Sequence, residues 1–140
     1  MSLERFCRKP LATASPAETA LEVAERMRKQ HVGCVVVTEG GGRPVGIVTD
    51  RDLVTRVLAE RRDPAATPVK AAMSPAPVIA KVDERIEEAA MKMRQKGVRR
   101  LPIVDPEGTL IGMVSLDDLM VLFTAELGQA VQAVRDNRGP

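Results

Sequence analysis

A hydroxyl residue followed three positions later by an aspartate occurs twice in the chain, each time directly after an aliphatic run. The residues are Thr49 and Asp52 in the first half, and Ser115 and Asp118 in the second. A helix that begins after a strand exposes free backbone N–H groups and the positive end of its dipole, which suits a phosphate. The hydroxyl adds a donor, and the carboxylate can accept hydrogen bonds from vicinal hydroxyls, as on a ribose. The pattern therefore indicates two candidate sites for a sugar phosphate.

These residues also have a purely structural interpretation. Thr or Ser at the N-cap, with an acidic residue three positions later, resembles a capping box, although Asp stands where Glu or Gln is usual. Such a cap stabilises a helix by roughly 1 kcal/mol and requires no ligand. One copy alone would favour this interpretation. Recurrence favours the ligand, but a duplication also copies structural features, so both interpretations stay open.

The chain is an internal duplication. Residues 7–60 align with residues 73–126 without insertion or deletion, and roughly a quarter of the paired positions are identical. The offset is 66 positions, as Gly112 minus Gly46 shows. Two copies of one unit tend to pack around a pseudo-twofold axis. The seam between them is then a natural place for a pair of ligand clefts.

Each copy predicts the same order of elements: a short extended segment, an amphipathic helix, two strands joined by a hairpin loop, and a second helix. Ser15 followed by Pro16 predicts that the first helix begins there, with Ser15 as its N-cap. The expected fold is of the mixed α/β (α+β) class, with two β-α-β-β-α repeats packed around a pseudo-twofold axis. The expected boundaries are residues 7–61 for repeat 1, 62–72 for a linker, 73–127 for repeat 2, and 128–140 for a C-terminal extension. Gly128 is expected to interrupt the last helix, and the extension to be partly helical and then frayed.

The composition limits the classes of function. The chain has 140 residues, of which 44% are hydrophobic and 29% charged, and its formal net charge is +2. Each repeat alone would be marginally stable, so the two are expected to share one core. The balanced charge and the lack of Trp and Tyr argue against a nucleic-acid partner. No apolar run approaches the roughly 20 residues that span a bilayer, and the N-terminus has no signal-peptide stretch. We therefore expect a cytoplasmic protein without a membrane partner.

The cysteines do not indicate a disulfide framework, because only Cys7 and Cys34 are present. His31 and Cys34 have the spacing of half a metal-ligand set. His31 is the sole histidine, and no second half is evident. A small apolar Cys34 inside a strand is therefore the favoured interpretation, and no metal site is predicted.

The repeat resembles the cystathionine β-synthase (CBS) domain, and the pair resembles a Bateman module of the stand-alone type. The matching residues in the second copy are 93–105, Gly108 and 112–119, and those in the first are 27–37 and 46–53. The resemblance implies a disc-like pair with two clefts for adenosyl ligands: AMP, ADP or ATP, with S-adenosylmethionine or NAD also possible. No cofactor is implied as a requirement.

The resemblance also implies the site residues, because in this family each cleft uses both repeats. The aspartate holds the ribose, the Thr or Ser lies near the phosphates, and the base lies against extended segments of the other repeat. Cleft 1 would comprise Thr49, Asp52, Pro75, Pro77, Val98, Arg99 and Arg100. Cleft 2 would comprise Lys9, Leu11, Val32, Gly33, Cys34, Ser115 and Asp118. Guanidinium groups bind phosphate well. We therefore expect nucleotide to bind more tightly in cleft 1, since Gly33 and Cys34 occupy the positions of its two arginines.

The favoured function is a non-catalytic regulatory module, expected to form a homodimer through helical faces and to act on an unidentified protein partner. One alternative is a structural or interaction module with empty clefts. A nucleotide-acting enzyme is less favoured. The chain has no Cys/His pair with an orienting group and no Walker-type loop, and Gly40–Gly42 lie in a predicted hairpin rather than before a helix.

Overall fold

The computed structural model describes residues 1–7 and 11–137. Within these residues, seven strands form two sheets, and four α-helices pack against them. The strands are β1 (Thr13–Ala14), β2 (Cys34–Glu39), β3 (Arg43–Thr49), β4 (Ser74–Pro75), β5 (Ala80–Lys81), β6 (Arg100–Val104) and β7 (Leu110–Ser115). The helices are α1 (Ala20–Gln30), α2 (Asp50–Leu53), α3 (Ile86–Lys96) and α4 (Leu116–Asp136). A π-helical segment, Val54–Leu58, continues α2, and short 3₁₀ turns cover Leu3–Phe6 and Val69–Ala71. In this part of the chain, no helix is both long and apolar enough to cross a membrane.

The duplication predicted from the sequence is visible in the strand register. The β2–β3 hairpin pairs Cys34 with Thr49, and the β6–β7 hairpin pairs the equivalent residues Arg100 and Ser115. In each copy the short first strand runs parallel to the second, β1 along β2 and β5 along β6. The predicted pair of β-α-β-β-α repeats around a pseudo-twofold axis is therefore confirmed.

The predicted start of the first helix is wrong. Helix α1 begins at Ala20, and its N-cap is Thr19, whose hydroxyl accepts a hydrogen bond from the Glu22 N–H at 3.1 Å. Ser15 lies in a separate turn, where its carbonyl accepts the Glu18 N–H at 3.1 Å and its own N–H donates to the Glu18 carboxylate at 2.7 Å. Ser15 and Pro16 therefore form a turn that leads into the helix.

Each repeat contributes its leading segment to the core of the other repeat. Val69 and Ala72, which precede repeat 2, are fully buried among the strands and helices of repeat 1. Leu3 and Phe6, at the N-terminus, are buried in the core of repeat 2. Strand β4, which follows the segment expected as a linker (residues 62–72), pairs with the edge of β3. The start of repeat 2 therefore joins the sheet of repeat 1. The two repeats are therefore interlocked.

Two equivalent glycines allow this crossing. A Cβ atom on Gly46 would lie 2.3 Å from the Met73 sulfur, and a Cβ on Gly112 would lie 2.9 Å from the Cα of Cys7 and from the Phe6 carbonyl oxygen. Gly46 and Gly112 are related by the duplication, and so are Cys7 and Met73. Each repeat thus uses a glycine in its strand so that the other repeat's leading segment can approach closely.

The expected interruption at Gly128 does not occur, because α4 runs unbroken from Leu116 to Asp136. One glycine costs a helix about 1 kcal/mol relative to alanine, which good helix-forming neighbours such as Ala130 and Ala133 can offset. Residues 138–140, where fraying was predicted, lie outside the described residues.

Gly112→Ala is expected to destabilise the protein by about 1–3 kcal/mol, because its Cβ meets backbone atoms that cannot rotate away. Gly128→Ala is the control, since a Cβ there meets nothing within 4 Å, and it should stabilise the helix by about 1 kcal/mol. Urea unfolding of the two variants measures both effects. A Gly112→Ala protein as stable as wild type would show that the crossing segment packs less tightly than described.

Candidate functional site

The capping interaction predicted from the sequence is present in both copies. The Thr49 hydroxyl accepts the Asp52 N–H at 3.2 Å, and the Thr49 N–H donates to Asp52 Oδ2 at 2.9 Å. The Ser115–Asp118 pair has the same geometry, with distances of 3.0 and 2.9 Å. Each cap uses only one oxygen of its carboxylate. The other oxygen of Asp52 lies 3.8 Å from an Arg56 nitrogen, at the limit of an ion pair. The cap therefore leaves carboxylate acceptor capacity for a ligand.

Cleft 1 is a cavity of about 330 Å³ that brings together all seven residues predicted for it. Repeat 1 supplies the end of β3 and the start of α2, while repeat 2 supplies β4 with the segment after it and the residues that lead into β6. The lining consists of Ile47, Thr49, Asp52, Ser74, Pro75, Ala76, Pro77, Val78, Val98, Arg99 and Arg100.

Cleft 2 is a larger cavity of about 610 Å³ and contains six of the seven residues predicted for it. The seventh, Lys9, lies outside the described residues. The lining consists of Phe6, Leu11, Ala12, Gln30, Val32, Gly33, Cys34, Val36, Arg100, Met113, Ser115 and Asp118. Small-molecule sites usually have volumes of roughly 300–1,000 Å³, so both clefts are large enough for a nucleotide-sized ligand.

The two clefts are related by the duplication. Eight lining residues of cleft 1 have their counterparts, 66 positions away, in the lining of cleft 2. The remaining cleft 1 residues are Ser74, Pro75 and Ala76, whose counterparts are residues 8–10, outside the described part. A single architecture therefore builds both clefts, and at the eight paired positions the clefts differ by side-chain substitution, as where Gly33 and Cys34 stand in place of Arg99 and Arg100.

The sequence reasoning missed several lining residues. Ile47 and Met113 stand two positions before Thr49 and Ser115 on the same strands, so strand alternation places them on the same face and could have identified them. Phe6 could not have been found in this way. It reaches cleft 2 only because the leading segment of repeat 1 crosses to repeat 2, which local periodicity does not reveal.

The two arginines predicted for cleft 1 differ in their surroundings. Arg99 forms an ion pair with Asp117 at 3.2 Å, and both side chains are well exposed, so solvent screening keeps this pair weak. Arg100 lines cleft 1 and also lines cleft 2. Cleft 2 therefore also has a guanidinium in its lining. The sequence predicts arginines in cleft 1 only, because Gly33 and Cys34 occupy the equivalent positions of cleft 2.

Cys34 lies beside these charges at the start of β2. Burial raises the pKa of its thiol above the ordinary value, the positive charge of Arg100 lowers it, and Asp52 and Asp50 raise it further. Burial, with a smaller contribution from Glu4, also raises the pKa of Cys7. Both thiols are thus poorly ionised at neutral pH. Over residues 1–7 and 11–137, no group of three or more His, Cys, Asp or Glu side chains is arranged to hold a metal ion.

Arg100→Gln is expected to raise the pKa of the Cys34 thiol further, because the substitution removes the positive charge that lowers it. The thiolate is the reactive form, so the pH midpoint of alkylation should move upward. The measurement is the alkylation rate as a function of pH in a Cys7→Ser background, with Arg94→Gln as the control. A midpoint that does not move would place the Arg100 charge too far from Cys34 to matter.

These features define a class of protein: a tandem-repeat module of two interlocked β-α-β-β-α units with a cleft on each side of their seam. The sequence profile of the CBS domain family matches residues 3–59 and 69–124, and the chain belongs to that family.

Relatives of the chain align with most of its length. The CBS domain-containing protein YhcV of Bacillus subtilis is 41% identical over 111 residues, which cover 79% of this chain and 77% of that protein. An uncharacterized protein of Methanopyrus kandleri is 38% identical over 120 residues, which cover 86% of this chain. The match spans 61% of that relative's own length.

Solved structures have the same fold. A CBS domain protein from Pyrobaculum aerophilum, complexed with AMP, superposes with a TM-score of 0.75 at 28% identity, covering 84% of this chain and 89% of that one. The CBS domain pair of protein MJ0100, in complex with 5′-methylthioadenosine and S-adenosyl-L-methionine, gives a TM-score of 0.78 at 24% identity. That match covers 90% of this chain and 98% of the other. At this lower identity the likeness shows the fold alone.

Proposed function

We propose that this CBS pair is a non-catalytic regulatory module that binds an adenine nucleotide, AMP, ADP or ATP, in the clefts between its repeats. One observation carries the proposal: each cleft combines the hydroxyl and carboxylate of one repeat with the extended segment and strand start of the other. The Pyrobaculum aerophilum protein, at 28% identity, is complexed with AMP, which supports an adenosyl ligand here.

The chemistry of cleft 1 matches the parts of a nucleotide. Pro75, Pro77 and Val98 offer apolar surface to a base. The carboxylate oxygen of Asp52 that lies outside the cap accepts hydrogen bonds from ribose hydroxyls. Arg99 and Arg100 supply positive charge for the phosphates. In cleft 2 the equivalent groups are Leu11, Ala12 and Val32 for the base, and Asp118 for the ribose.

Regulation follows from the shared construction of the clefts. A ligand that contacts both repeats stabilises the relative orientation in which those contacts are made. The population then shifts toward that orientation, which changes the surface presented to a protein partner. A ligand held by one repeat alone could not produce this shift.

An enzymatic function receives little support from the cleft chemistry. Cys34 lines cleft 2, and burial raises the pKa of its thiol, which makes it a poor nucleophile at neutral pH. The empty-cleft alternative is favoured by one observation. Thr49 and Asp52 already satisfy each other in the cap without a ligand. Titration with nucleotide decides between these functions.

Asp52→Ala and Asp118→Ala are each expected to weaken AMP binding in one cleft, and the loss should be larger for Asp52→Ala because cleft 1 has two lining arginines. Asp52→Asn separates binding from capping, since an amide oxygen can still accept the Thr49 N–H while the amide nitrogen cannot accept a ribose hydroxyl. Isothermal titration calorimetry with AMP measures each effect, and we expect a loss of about tenfold or more, roughly 1.4 kcal/mol.

The control for loss of a cap is Glu22→Ala, which removes the equivalent carboxylate from the α1 cap, away from both clefts. It should leave AMP affinity unchanged. Equal losses from Asp52→Ala and Asp118→Ala would refute the order of affinities. If no adenine nucleotide binds the wild-type protein, or shifts its melting temperature, the empty-cleft function is favoured instead.

We further propose a homodimer formed through helical faces. An apolar groove of about 200 Å³ lies between α1 and the π-helical segment, lined by Ala20, Leu21, Ala24, Leu53, Val54, Val57, Leu58 and Pro64. Leu58 is 67% exposed, and on the matching helices of repeat 2 Met91, Met120 and Val121 are 58%, 58% and 70% exposed. Val54 and Met120 are equivalent in the duplication, so the pair presents two related apolar patches that a second copy can cover.

Leu58→Glu is expected to shift the protein toward monomer, raising the dimer dissociation constant by at least about tenfold, because it places a charge in the apolar contact. Val134→Glu makes the same kind of change at an exposed position of α4 outside the groove and serves as the control. Sedimentation equilibrium measures the dissociation constants. A wild-type monomer, or equal effects of the two variants, would contradict the proposed interface.

A further inference from the structure

Arg100 is placed differently from the other charged cleft residues that the structure describes. It is the first residue of β6, where it pairs with Ser115 of cleft 2, and its exposed side chain lines both cavities. Asp52 and Arg99 line cleft 1 only, and Asp118 lines cleft 2 only. Arg100 therefore lies at the boundary between the two clefts.

The guanidinium of Arg100 is not paired with another side chain within the described part of the chain. No hydrogen bond or ion pair engages its guanidinium there, whereas the neighbouring Arg99 is paired with Asp117 at 3.2 Å. Asp52 lines cleft 1 together with Arg100, but no ion pair joins the two side chains. A guanidinium without a partner is available to an incoming anion.

The duplication does not supply a second such charge. The counterpart of Arg100 is Cys34, and that of Arg99 is Gly33, so cleft 2 has no cationic side chain from these equivalent positions. Cys34 lines cleft 2 and does not appear in the lining of cleft 1. Among the described lining residues, Arg100 is the single cation of cleft 2, and it is also one of the two cations of cleft 1.

We propose that Arg100 is a phosphate-binding residue common to both clefts, so that phosphorylated ligands in the two clefts compete for one guanidinium and bind with negative cooperativity. The inference rests on the proposed nucleotide-binding function and specifies its regulation. A phosphate that engages Arg100 from one cleft neutralises the positive charge that is available to a phosphate in the other cleft. Adenosine has no phosphate that could engage Arg100, so it binds the two clefts independently.

The test compares each cleft alone with both together. Asp52→Asn impairs cleft 1 and reports the AMP affinity of cleft 2, while Asp118→Asn does the reverse. If the clefts were independent, the two wild-type constants would equal these single-cleft values. We expect the weaker wild-type constant for AMP to be about tenfold weaker than the corresponding single-cleft value, within the usual range of coupling between sites. For adenosine, the coupling factor should be near one.

Variants at two adjacent arginines identify the residue responsible. Arg100→Gln should weaken AMP binding in both clefts and bring the coupling factor for AMP close to one, while Arg100→Lys should retain part of the coupling because it keeps the charge. Arg99→Gln is the matched control: it should weaken AMP in cleft 1 only and leave the coupling factor unchanged. Circular dichroism and the melting temperature establish that each variant is folded.

The outcomes distinguish this inference from the function on which it rests. AMP binding in both clefts with a coupling factor of one, or coupling that persists in Arg100→Gln, overturns the shared arginine and leaves the nucleotide-binding function standing. Coupling of equal size for adenosine also overturns it, because a conformational change and not the phosphate charge would then connect the clefts. Binding of no adenosyl ligand overturns both.

Discussion

The structure depends on the exchange of leading segments between its two repeats. Leu3 and Phe6 complete the core of repeat 2, and Val69 and Ala72 complete that of repeat 1, so neither core is closed by one repeat alone. Each leading segment packs closely against a strand of the other repeat, which leaves no room for a Cβ at the contact. The strand residues there are Gly46 and Gly112. Because the crossing fixes the repeats face to face, it also fixes the two clefts in the seam between them.

The same exchange explains why the clefts are composite. Strand β4 follows directly from the segment that enters the core of repeat 1, so Pro75 is brought beside Gly46 and the wall of cleft 1 is closed. Phe6 reaches cleft 2 for the equivalent reason. The segments that complete the two cores therefore also form part of the walls of the clefts. A ligand in a cleft bears directly on the contacts that hold the repeats together, which is the physical basis for coupling binding to a change of orientation.

Much of this arrangement could be predicted from the sequence. The 66-residue offset predicted the paired repeats and the pseudo-twofold axis, and hydroxyl-to-aspartate spacing predicted the caps at Thr49 and Ser115, because both depend on local pattern. The start of α1 was not predicted correctly, since a Ser-Pro turn and an N-cap have the same composition. Helix α4 continues through Gly128 because the helix propensities of the neighbouring residues together outweigh the cost of one glycine, and a single residue does not reveal this. The placement of Phe6 and Arg100 depends on tertiary contact, which a single sequence does not display.

Arg100 shows how a duplicated protein acquires two unequal sites. Strict symmetry would give each cleft the same charge, but Arg100 lines both clefts while its counterpart Cys34 lines cleft 2 alone, so a substitution at position 100 changes both clefts at once. With arginine at position 100 and cysteine at the equivalent position 34, Arg100 is the one cation shared by both cavities among the described lining residues. A difference between residues that each line a single cleft, such as Arg99 in cleft 1 and its counterpart Gly33 in cleft 2, has no such shared effect. Whether a substituted residue lines one cleft or both thus determines whether divergence makes the sites different or makes them interdependent.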